Sequence, residues 1–89
     1  MITLERWENL SKRDQLGHIA SEILRANLAK EKNQSIYLQI LERAFYFIDL
    51  SLEDEKWREN PLPLLILRNE LAKAYVGEKV DLEKIYMAI

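Results

Sequence analysis

At 89 residues, 48% of them hydrophobic and 31% charged, the chain is large enough for one core and too apolar to stay disordered. Its net charge of −2 leaves no excess of Lys and Arg to displace phosphate counterions, which weighs against a nucleic-acid partner. With no cysteine it builds neither a disulfide framework nor a thiolate metal site, and it suits a reducing compartment.

Only two glycines and two prolines interrupt the sequence, so long helices joined by short loops are expected, in an all-α bundle filling a single domain, residues 1–89. The first ten residues carry charges where a signal peptide needs its apolar core. Unbroken apolar runs such as Leu64 to Leu67 are far too short for a bilayer, and a cytoplasmic chain without membrane contact is expected.

Thr3 can cap a short turn carrying Leu4, Trp7 and Leu10, and Ser11 with Asp14 resembles a capping box that opens a helix from Lys12 to about Glu31. Leu16, Ile19, Ala20, Ile23, Leu24 and Leu28 define its expected core face; Asp14, His18, Glu22 and Arg25 define its outer face. Gly17 inside that helix suggests a close backbone approach by a neighbour, and Asn27 falls in the middle of the apolar stripe. Lys30 to Ser35 is a turn short enough to make the next helix an antiparallel neighbour.

Asn33 to Leu52 is the organising stretch. Tyr37, Leu41, Ala44, Phe45 and Ile48 share one face, and Ile36, Leu38, Ile40 and Phe47 widen it to an arc of roughly 200°, about twice that of a surface helix. Such a helix needs cover from more than one direction, which makes it central. It is expected to end near Leu50, where Ser51 and Asp54 match a second capping box and start a short helical turn through Trp57.

Asn60-Pro61-Leu62-Pro63 punctuates the chain, because proline is tolerated in a first helical turn. The third main helix follows, burying Leu64, Leu67, Leu71, Ala74 and Tyr75, with Arg68 inside that face, Ile66 opposite it and Gly77 as the stop. A short last helix begins after the Asp81 cap and carries Leu82, Ile85, Tyr86 and Ile89 in one stripe.

Four constellations carry possible chemistry. Arg13 and His18, with Asp14 beside the Arg, form an R-x4-H spacing that resembles the motif of HEPN-family ribonucleases, which are helical bundles. The resemblance implies RNA cleavage in a dimer cleft, His18 near the scissile phosphate and Arg13 on its charge. It covers six residues and departs from the family in opening the first long helix, where the two side chains point about 140° apart. Asp14, His18 and Glu22 repeat every four residues, but a lone histidine with no second element supplying ligands reads as a solvated, weakly paired face, and neither metal nor cofactor is expected. A Gly turn between two helices at residues 71–86 suggests a helix-turn-helix, against which stand a spacing one residue too long and the acidic Asp81 and Glu83 at the end that would meet DNA.

Asn27 and Arg68 stand on faces that should be apolar. They either fix helix register, Arg68 reaching Asp49 or Glu42, or line with Tyr37 and Tyr75 a pocket for a small anionic ligand. Finally, Tyr46, Leu50 and Ile66 fall off the main stripes, and with Trp57 they form the expected interface to a second chain. The sequence therefore reads as a non-enzymatic helical module acting through protein contacts as a homodimer. Its alternatives are a HEPN-like RNase or toxin-system component using Arg13 and His18, and a ligand-binding bundle.

Overall fold

Side-chain caps set most of the helix starts. Thr3, Ser11 and Asn33 each accept the backbone N–H three residues on, opening α1 (Leu4–Glu8), α2 (Lys12–Ala29) and α3 (Gln34–Glu53) of the computed structural model, which describes residues 1–89. After a 3-10 turn at Glu55–Trp57 capped by Asp54, α4 (Leu62–Tyr75) starts without a side-chain cap and instead carries proline in its first turn. It stops at Gly77, whose φ of 93° lets the Glu78 N–H reach the Lys73 carbonyl and the Gly77 N–H reach that of Ala74. Asp81 then caps α5 (Leu82–Ala88). The chain is all-α with no strand, as its composition implied, and no helix is long and apolar enough to cross a membrane.

α3 is the centre of the bundle. Its buried Tyr37, Leu41, Ala44 and Ile48 meet Ile19, Ile23 and Ala26 from α2 on one side and Leu64, Leu67, Leu71 and Ala74 from α4 on the other. α1 lies against α3 through Trp7, and α5 docks on α2, anchored by Leu82. Each fully buried Leu or Ile contributes about 1.5–3 kcal/mol, so these two interfaces supply most of the driving force.

The structure moves several expectations, and Tyr75, expected on the buried face of the third helix, is exposed near the end of α4. The buried side of α2 is Gln15, Ile19, Glu22, Ile23 and Ala26, a face rotated by about a quarter turn from the apolar stripe. Leu16 and Ala20 are only half-buried, and Leu24 and Leu28 are exposed, because the seven-residue α5 covers too little of that side. α3 does not end near Leu50; it runs through Ser51 to Glu53, and Ser51 caps nothing. Gly17 is exposed, and a Cβ built on it would meet nothing within 4 Å, so no neighbour approaches it.

Gln15 explains why α2 turns this way. Its amide is fully buried and donates to the Trp7 carbonyl at 2.9 Å and to Asp54 Oδ2 at 2.8 Å, while its oxygen accepts the Trp57 indole N–H at 2.7 Å. The Trp7 indole donates to Ser51 Oγ at 2.9 Å, which donates in turn to the Phe47 carbonyl. Burial alone would push the Asp54 carboxyl up. Hydrogen bonds from the Lys56 ammonium and backbone N–H and from Gln15, with the Lys56 charge, hold it below its ordinary value. One amide thus clasps α1, α2 and the 3-10 turn, and satisfied polar burial outcompetes Leu24 and Leu28 for the interior.

Candidate functional site

Every residue expected to carry chemistry can be placed. Arg13 and His18 flank Gly17 on α2, and with Gly17, Leu10, Asp14 and Ser21 they line a shallow depression. His18 packs its ring near Trp7, at 5.8 Å between centroids, and near Phe47 at 6.2 Å. Both Arg13 and His18 are exposed. Glu22 does not share their outward face. It is buried toward α3, where its Oε1 accepts from Arg25 at 2.7 Å and lies 3.6 Å from Arg43, while Oε2 has no partner. Asp14, His18 and Glu22 therefore do not converge.

Arg68 takes the structural role offered for it. Its Nε and NH2 donate to the two Asp49 oxygens at 2.8 and 3.3 Å, and its guanidinium lies 5.2 Å from the Phe45 ring centre. The Asp49 hydrogen bond raises its already high pKa further. Tyr75 donates to Glu42 at 2.7 Å, and this bond raises its phenol pKa. Tyr37 is buried, which raises its own, and Asn27 is half-buried on α2. Five cavities on the surface are lined by residues other than Asn27, Tyr37, Arg68 and Tyr75. Arg68 and Tyr75 instead tie α4 to α3 through two polar side chains at one edge of their interface.

The expected interface residues divide. Leu50 and Trp57 are buried within the chain, and Tyr46 is half-buried with its hydroxyl donating to the Ile2 carbonyl at 2.7 Å. At this edge of α3 the N-terminal segment is tied down through the Tyr46 bond to Ile2. Ile66 alone of the four stays exposed, and it belongs to a larger surface on α4.

That surface follows from helix geometry. At about 100° per residue, the buried Leu64, Leu67, Leu71 and Ala74 point one way and Leu62, Leu65, Ile66, Asn69 and Val76 point the other. Leu62 is 58% exposed, Leu65 47%, Ile66 56% and Val76 72%, so this face is largely bare. Beside it, Leu62, Pro63, Ile66 and Leu67 border a groove of about 440 Å³ whose other wall is Leu16 of α2 and Ile85, Ala88 and Ile89 at the chain's end. Isolated exposed apolar side chains are ordinary, whereas a contiguous patch marks a docking surface. The sequence signal was present in the unbroken Leu64-Leu65-Ile66-Leu67 run, which has too many apolar residues for one buried face.

Fold and surface together define a small all-α bundle with an amphipathic core and one helix apolar on both sides. No family model, characterised protein or solved structure matches the chain.

Proposed function

We propose that this chain is a non-enzymatic, cytoplasmic helical module that acts through protein contacts as a homodimer. The observation that carries this reading is the outer face of α4, where Leu62, Leu65, Ile66 and Val76 stay exposed after the monomer's core is complete. Helices that end a protein's surface normally present charge on that side; an apolar second face gains about 25 cal/mol for each Å² removed from water by a partner. The polar cluster around Gln15 supports the same reading, since Gln15, Asp54, Ser51 and both tryptophan N–H groups are engaged within the fold. The absence of cysteine fits a reducing cytoplasm.

Sedimentation equilibrium of the purified chain from about 1 μM to 1 mM tests the reading, a span that brackets weak and standard interfaces. A concentration-dependent shift from monomer to dimer is expected; a monomer throughout refutes it. The ribonuclease alternative makes a contrasting demand. It requires that the purified protein cleave RNA and that His18→Ala and Arg13→Ala each abolish the cleavage, whereas the module leaves RNA intact.

A further inference from the structure

Resting on that reading, we infer that the dimer is closed by α4 alone, packed antiparallel against α4 of a second copy with the two Asn69 side chains meeting on the two-fold axis. The outer face of α4 has a seven-residue period. Leu62, Asn69 and Val76 follow one another at that interval, with Leu65 and Ala72 at the intermediate positions. This is the seam spacing of paired helices, in which a single polar Asn among apolar neighbours fixes register and the number of strands. Here that Asn sits in the middle.

Its position makes the seam self-complementary. Counting outward from Asn69, Leu62 and Val76 are equidistant, as are Ile66 and Ala72. A two-fold through Asn69 therefore sets Leu62 against Val76 of the second copy, Ile66 against its Ala72, and Leu65 over the aliphatic stem of its Lys73. The large side chains of the first half of the helix meet smaller ones of the second half, so bulk is matched at both ends. Asn69 meets itself, and an amide can do so because it carries both donor and acceptor. Its neighbours are already engaged, Arg68 with Asp49 and Glu70 with Lys73, which leaves Asn69 as the polar group at the centre without an internal partner. The antiparallel sense also sets the N-terminal end of each α4 dipole beside the C-terminal end of the other.

The area matches a reversible dimer. The exposed parts of Leu62, Leu65, Ile66 and Val76 amount to roughly 400 Å² per chain, and the intervening polar stems bring the total for both chains to the order of 1,000 Å², at the lower limit of specific interfaces. An isologous contact of this kind closes on itself, and it draws in Leu62 and Ile66, which also border the groove beside Ile89.

The chain has no cysteine, so single cysteines report neighbours without interference. Full-length Leu62→Cys and Val76→Cys proteins are mixed under mild oxidation, and each is also oxidised alone; Ile66→Glu is measured beside the wild type by sedimentation equilibrium, with helical content checked by circular dichroism. The expected result is a 62-to-76 disulfide in the mixture, no covalent dimer of Leu62→Cys alone, since antiparallel packing separates those positions by roughly 20 Å, and at least tenfold weaker self-association of folded Ile66→Glu. A dimer that Ile66→Glu does not weaken, or one in which Leu62→Cys links to itself, overturns the antiparallel α4 seam while leaving self-association intact. A wild type that stays monomeric overturns the seam and the homodimer together.

Discussion

Replacing Gln15 with Leu isolates the contribution of the clasp, because Leu has nearly the same volume and can pack where the amide was without opening a large cavity. What it removes is specific. Asp54 loses a charge-assisted hydrogen bond of 2.8 Å, a class of contact that contributes about 1.5–3 kcal/mol. The Trp57 N–H, buried and bonded to Gln15 at 2.7 Å, is left without an acceptor, which costs about 1–3 kcal/mol. Overlap between the two gives an expected loss of about 3–5 kcal/mol, out of roughly 4–13 kcal/mol for a domain of this size. Melting should fall by on the order of 15–25 °C. Urea titration followed by the fluorescence of Trp7 and Trp57 and by far-ultraviolet circular dichroism measures it. Gln15→Glu sharpens the test, since it sets a second carboxyl against Asp54. The two cannot both be charged at hydrogen-bonding distance, so the pair's folded-state pKa rises above the unfolded value; the loss is greatest at neutral pH and shrinks as pH falls through the carboxylate range. A Gln15→Leu protein within 1 kcal/mol of the wild type would refute the assignment of stability to this clasp.

Gly17→Ala should stabilise the chain by about 1 kcal/mol, raising the melting temperature by roughly 4–8 °C, because the site is helical and open; a lower melting temperature would mean that a neighbour does occupy that space. Asp54 has a folded pKa below its ordinary 3.8, so its contribution is complete above that value and is lost as pH falls through the folded value. The urea midpoint of the wild type should decline more steeply between pH 5 and 2 than that of Asp54→Asn, and equal slopes would contradict the pairing with Lys56 and Gln15. Tyr46→Phe removes the 2.7 Å bond to the Ile2 carbonyl and should lower stability by about 0.5–1.5 kcal/mol. Limited proteolysis should then clip the first residues faster, and an unchanged rate would show that packing alone holds them.

Helix starts were legible at Thr3, Ser11 and Asp81, which cap as read, since a cap is a contact within four residues; Asn60 before α4 makes no cap bond, and the Asn33 cap of α3 went unread. The centrality of α3 was legible too, because a wide apolar arc cannot be solvated. The side of α2 that faces inward was not. Leu24 and Leu28 against Gln15 and Glu22 is a contest that hydropathy decides one way, and it was decided the other way by partners 39 and 42 residues distant, Asp54 and Trp57. Ser51 misled for the same reason, since its hydroxyl serves Trp7 across 44 residues instead of the N–H groups next to it. At the surface, Ile66 was singled out, but Leu62, Leu65 and Val76 joined it only once the packing of α4 had fixed which way each pointed.

The clasp around Gln15 also orders events in time. α2 and α3 are joined by four residues, so their pairing closes a short loop, whereas Gln15 must wait for the 3-10 turn to return from far along the chain. Contacts between parts of the chain so far apart are expected to form after the barrier has been crossed. In a chevron plot, Gln15→Leu would then leave the refolding arm nearly in place and lift the unfolding arm, by about a factor of 10 for every 1.4 kcal/mol lost. A buried amide in this position acts as a latch: it does little to bring the chain together and much to determine how long the chain stays folded.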